Sequence, residues 1–138
     1  DILPLGQFAA MFFGVFDARR DQLSYAACGG PNPMITRDGR VTVLDASGVF
    51  LGIDADVPYE TRVESFRPGD GVLLFSDALI ESAAPNAPAL AQEGVLALCG
   101  AVTAEGLDPI GAVLDRAITP RRPMKDDLTL IWIGRPKA

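Results

Sequence analysis

The chain has 138 residues, 49% of them hydrophobic, and its 18 acidic and 12 basic side chains leave a net charge of −6. That length suits one domain able to bury about two thirds of its unfolded surface, and the apolar content argues against disorder. With no basic cluster longer than Arg121-Arg122, the acidic balance speaks against a nucleic-acid or anionic membrane partner.

There is no histidine, which removes Ser-His-Asp and Cys-His catalysis within this chain, and the usual zinc enzymes with them. Any site must then be built mostly from carboxylates, and oxygen-only sites favour Mg²⁺ or Mn²⁺. No apolar run reaches 18 residues and no signal-peptide pattern opens the chain, so no membrane span is expected. Cys28 and Cys99 lie in apolar contexts without metal-ligand spacing and read as buried free thiols of a reducing, cytoplasmic compartment.

In chain order, Phe8–Asp17 reads as a strand, Ala18–Asp21 as a turn and Gln22–Cys28 as a second strand, forming an antiparallel hairpin. Gly29–Pro33 breaks regular structure. Met34–Thr36 and Arg40–Ala46 flank Asp38-Gly39, a second hairpin. Residues 47–58 read as irregular. Tyr59–Phe66 alternates, as a strand with one wet face does, and Arg67–Gly71 is a turn. Val72–Ser76 is apolar throughout, a strand buried on both faces. Ser82–Ala89 is a loop of small residues and proline.

Val95, Leu98, Cys99 and Val102 fall at helical spacing. A second helix starts at Asp108-Pro109 and repeats that spacing at Ile110, Val113, Leu114 and Ala117. Residues 119–127 form a loop, and Leu128–Gly134 closes the chain as a strand that is apolar on both faces. Two helices cover one side of such strands only, and a second sheet built by the earlier hairpins covers the other. The expected fold is α+β, two antiparallel sheets packed as a sandwich with flanking helices, in one domain spanning residues 1–138.

Asp77 ends the Val72–Ser76 strand, and Asp126 and Asp127 precede the Leu128–Gly134 strand. If these strands are antiparallel neighbours, Asp77 and Asp126 converge at one sheet edge, roughly one inter-strand spacing of about 5 Å apart. Two carboxylates that close repel unless a proton or a cation lies between them. Against this, Ser76 or Asp77 can simply cap a short turn, and Lys125–Asp127 can be a solvated loop. The turn Arg67–Asp70 reads as structural.

Several stretches resemble one family, the metal-dependent PPM, or protein phosphatase 2C-like, phosphatases. RPGDGVLLFSDALIES is similar to the family's PGD-LLLYTDG-TE segment, and KDDLTLIWIG to its closing DD-[IL]-T-L strand. LSYAACGGPNPMITRDGRVTVLD resembles the bacterial Y-NAGHPPPLL segment, and FLGI the PLG[IL] that follows it. Order and spacing agree from about Phe8 to Gly134, and the branch resembled is that of sporulation and stress-response regulators.

The resemblance implies a sandwich with two Mn²⁺ or Mg²⁺ ions at one end, where a metal-bridging water attacks a phosphoserine or phosphothreonine. It makes Asp77 and Asp126 metal ligands. Asp127, Gly29, Gly30 and Ala78 would stand beside them or touch metal-bound water, and Glu81 would support rather than ligate.

Three departures stand out. The family's N-terminal third, with its metal-bridging aspartate, has no counterpart, so the chain reads as the C-terminal two thirds of a phosphatase domain. Gly30 replaces a usual histidine, and Ala78 replaces the glycine after the ligand aspartate. Alanine fits there only at negative φ; a positive φ would cost about 1 kcal/mol and shift the carboxylate.

Two functions follow from the resemblance. One is hydrolysis of phosphoserine or phosphothreonine on a regulatory protein, such as an anti-sigma-factor antagonist, in the manner of a response-regulator output domain. The other is a pseudophosphatase, the same fold used to bind a sigma-factor regulator. An unrelated β-rich domain with chance motifs is the bland alternative. Unpaired sheet edges would invite the missing segment or a second copy, giving a homodimer.

Overall fold

Two hairpins open the fold, each closed by its own turn chemistry. The computed structural model describes residues 4, 6–46, 48–121, 124 and 126–137. Strands β1 (Met11–Asp17) and β2 (Gln22–Cys28) pair antiparallel from Met11↔Cys28 to Asp17↔Gln22. The Asp17 carboxylate closes their turn by accepting from the backbone N–H groups of Arg19 and Arg20 at 2.9 and 3.1 Å. Strands β3 (Met34–Arg37) and β4 (Arg40–Val43) are joined by Asp38 and Gly39 at φ 50° and 76°. Both values are positive, the signature of the tight turn expected from Asp-Gly.

Then come β5 (Arg62–Ser65), β6 (Gly71–Phe75), the short helix α1 (Asp77–Glu81), α2 (Ala91–Ala104), α3 (Pro109–Ala117) and β7 (Leu130–Gly134). The strands form two antiparallel sheets, β1-β2-β5 and β4-β3-β6-β7. Asp108 caps α3 as expected, accepting from the Gly111 N–H, with Pro109 opening the helix.

Strand β6 shows why an uninterrupted apolar run is needed. Val72 packs between the sheets with Leu23, Tyr25, Ile35, Leu44 and Phe66. Leu73 and Phe75 point the other way, into a second core with Leu79, Val95, Cys99, Val102 and Val113. Each such side chain contributes about 1.5–3 kcal/mol on full burial. The layers are therefore sheet, sheet and helices. Gly71 completes the fit, because a Cβ there would come within 2.1 Å of the Trp132 ring.

The structure trims several expected elements. The first strand starts at Met11 rather than Phe8, because its partner β2 leaves the ladder where Gly29 turns at φ 71°. Ala9 bridges to Leu51 instead. The strand expected over Tyr59–Phe66 shrinks to Arg62–Ser65. Past Tyr25 the flank of β2 is taken by the following loop, where a Cβ on Gly48 would meet the Ala27 carbonyl at 2.1 Å. The last strand is not buried on both faces. It lies at the sheet edge, and Ile131 is 49% exposed. Of the loop expected over residues 119–127, residues 122, 123 and 125 lie outside the described set, as does residue 47 of the irregular stretch.

Ion pairs staple the two sheets at the end where β3 finishes and β6 begins. Asp70, 4% exposed, accepts from the Arg67 N–H at 2.8 Å and from Arg37 Nε at 3.0 Å. Arg37 also reaches Glu64 at 3.3 Å and the Ser65 carbonyl on the opposite sheet. The Arg67–Asp70 turn is thus structural, as its sequence implies.

Candidate metal centre

At the other end, β6 finishes beside the start of β7. The two strands are antiparallel neighbours, with Phe75 facing Leu130. Asp77 lies two residues past Phe75, and Asp127 and Asp126 lie three and four residues before Leu130, so all three belong to one rim of the sandwich. All three are exposed. Among the described residues no ion pair engages any of them. Asp126 Oδ1 accepts from the backbone N–H of Asp127 at 2.7 Å.

Ser76 holds this junction. Its backbone N–H donates to the Thr129 carbonyl at 3.0 Å. Its Oγ accepts from the Thr129 N–H at 3.0 Å and donates to the Asp127 carbonyl at 3.2 Å. Ser76 occupies the N-cap position of α1, yet its side chain makes no capping bond. Reading Ser76 as a turn cap missed this role. The available signal was a hydroxyl between a strand and an aspartate, opposite the Asp126-Asp127 pair.

Ala78 lies inside α1 and is 5% exposed, its methyl turned into the core. Among the described residues the positive-φ non-glycines are Asp21, Asp38, Asn86 and Ala91. Ala78 is not one of them, so its Cβ imposes no left-handed strain on Asp77. Glu81 ends the same helix and is exposed.

Gly29 and Gly30 start the loop that carries the chain from β2 to β3. The first residue of β3, Met34, pairs with Leu73 near the end of β6, so this loop crosses the sandwich at the aspartate end. Gln92 of α2 anchors it by donating to the Asn32 carbonyl at 3.0 Å. Both glycines have positive φ, 71° and 79°. The Phe50 ring fills the space beside Gly29, where a Cβ would come within 2.5 Å, and Ala10 lies beside Gly30.

The donor set tests the fit of a metal. Three carboxylates at one rim, without cationic partners among the described residues, suit a hard divalent ion. No group of three or more His, Cys, Asp or Glu side chains that could hold a metal is formed among those residues, so what the three aspartates share is a rim.

Residues 1–136 match the family described as Stage II sporulation protein E (SpoIIE). The phosphoserine phosphatase RsbU of Bacillus subtilis is 30% identical over 81 residues, 57% of this chain and 24% of RsbU. The SiaA-PP2C domain of Pseudomonas aeruginosa superposes with TM-score 0.75 at 17% identity, over 96% of this chain and 54% of that one. The manganese-presoaked phosphatase domain of SpoIIE from Bacillus subtilis gives TM-score 0.64 at 17% identity, over 93% and 57%. The chain thus spans about a quarter of the length of RsbU and a little over half of the two solved chains. Two antiparallel sheets with helices on one outer face agree with that match: the chain belongs to the SpoIIE family and has the protein phosphatase 2C-like fold.

Proposed function

We propose that this chain forms part of a metal-dependent phosphatase acting on phosphoserine or phosphothreonine of a regulatory protein, such as an anti-sigma-factor antagonist. The observation that carries this reading is the β6–β7 pairing, which brings Asp77 and Asp126-Asp127 to one rim. The likeness to RsbU, a phosphoserine phosphatase, supports the reaction class. The manganese-presoaked SpoIIE domain supports the ion.

Asp77 and Asp126 would hold Mn²⁺ or Mg²⁺, two ions in a complete domain, with Asp127 placed to orient water. When bound, the ions lower the pKa of water and neutralise charge on the transferring phosphoryl group. The chain's own part is to present carboxylate oxygens on a rigid strand end, with β6 anchored on both faces by Val72 and Leu73. Gly29 and Gly30 belong to the loop that crosses the sandwich at the same end. Free buried cysteines suit a cytoplasmic setting, and no helix among the described residues is long and apolar enough to cross a membrane.

One observation favours a second reading, a pseudophosphatase that binds a sigma-factor regulator without turnover: Gly30 stands where the resembled segment usually has a histidine. Phosphate release from an aryl phosphate by the full-length protein separates the two. Mn²⁺-dependent release, abolished by EDTA and reduced at least a hundredfold by Asp77→Asn, is the expected outcome for the enzyme, on the order of the loss when a charge-stabilising group is removed. Equal rates with and without EDTA would sink it.

A further inference from the structure

We infer that Ser76 is a positioning residue for the metal site, a clasp that sets the spacing between the two aspartate-bearing segments. This rests on the reading of Asp77 and Asp126 as metal ligands. Three hydrogen bonds join Ser76 to residues more than fifty positions away: N–H to the Thr129 carbonyl, the Thr129 N–H to Oγ, and Oγ to the Asp127 carbonyl, at 3.0, 3.0 and 3.2 Å.

The ladder of β6 and β7 ends at Phe75↔Leu130. One step beyond it the Ser76 side chain takes over the backbone's work, and the residues it grips adjoin the carboxylates. Asp77 is its chain neighbour, and the Asp127 carbonyl is its acceptor. Packing fixes the Asp77 side through buried Phe75, Ala78 and Leu79, whereas Asp126, Asp127 and Thr129 are exposed, so the hydrogen bonds of Ser76 tie the second segment to the first.

The chemistry requires a hydroxyl. Only a group that donates and accepts at once can accept from the Thr129 N–H while donating a hydrogen bond to the Asp127 carbonyl. Serine and threonine qualify, and alanine loses both bonds. The placement also goes against local economy. Serine at a helix N-cap ordinarily accepts from its own helix, and here the hydroxyl leaves α1 uncapped in order to reach across to the start of β7. Groups that orient metal ligands without touching the metal typically change affinity by about 10- to 100-fold when removed.

The test measures Mn²⁺ affinity of the full-length protein by calorimetry, with hydrogen exchange at the Thr129 amide, well below each variant's melting temperature. Ser76→Ala is expected to weaken Mn²⁺ binding about 10-fold or more and to speed Thr129 exchange. Ser76→Thr should restore both to within about threefold of wild type, which a general loss of stability would not predict. If Asp77→Asn abolishes Mn²⁺ binding and Ser76→Ala leaves it unchanged, the clasp is overturned and the metal reading stands. Wild type that binds no Mn²⁺, or binds it equally after Asp77→Asn, overturns the metal reading and the clasp with it.

Discussion

Cys99 is 4% exposed, packed between α2 and the four-stranded sheet, and burial pushes its thiol from 9.0 to about 11. A thiol that resists ionisation when folded stabilises the fold fully below its unfolded pKa. That contribution is lost as pH rises toward the folded value, because the unfolded chain releases its proton first. Urea midpoints should therefore fall between about pH 9 and about pH 11. Burial shifts Cys28 in the same direction, so Cys99→Ala should flatten the fall without abolishing it. Identical slopes for the two proteins would contradict the assignment. Ala78 makes a related point at the same scale. What mattered was its φ and the direction of its methyl, both set by α1 rather than by residue type.

Among the elements, the junction of β3, β5 and β6 carries the most concentrated polar contacts. Burial pulls the Arg37 guanidinium down, but the hydrogen bonds and charges of Asp70 and Glu64 win and hold it above its ordinary value. Asp70 is the more buried partner, with side-chain exposure of 5% against 28% for Arg37. Asp70→Ala removes the acceptor of both Arg37 and the Arg67 N–H. The expected loss is about 2–4 kcal/mol, toward the low end for a buried pair because Arg37 keeps Glu64 and some solvent. A double-mutant cycle with Arg37→Ala, followed by urea denaturation, should return a coupling above about 1 kcal/mol. This staple lies at the end of the sandwich away from the aspartates, so stability and the proposed chemistry occupy opposite rims. Asp70→Ala should therefore leave Mn²⁺ affinity unchanged.

Across the whole molecule the two outer faces differ. α2 and α3 cover the four-stranded sheet, whereas no helix among the described residues lies on the three-stranded one. Its outer face shows Phe13 at 60%, Val63 at 59%, Val15 at 52% and Met11 at 43% exposure. β1, at the edge of that sheet, carries no charge between Met11 and Phe16. An uncharged apolar edge is prone to pairing with other chains. The isolated chain should self-associate with rising concentration, and Phe13→Lys should suppress this, as light scattering after size exclusion would show. A wild-type chain that stays monomeric throughout would count against it.

Among the described residues, alternation, turn residues and uninterrupted apolar runs were enough to place the seven strands, the two longer helices, the Asp-Gly hairpin and the Asp108 cap. These depend on local chemistry: side-chain period selects a buried face, and glycine, proline and aspartate select turns. The aspartates at strand ends were legible for the same reason. Helix α1 was not, because five residues carry too little periodicity. Nor was the half-exposed face of β7, since an apolar pattern cannot say whether a strand lies at an edge. Tertiary structure alone decided that Ser76 grips Thr129 and Asp127, that Phe50 occupies the space beside Gly29, and that one sheet has an outer face no helix among the described residues covers. Each depends on which distant segments become neighbours, and that follows from how whole layers pack rather than from any one stretch of chain.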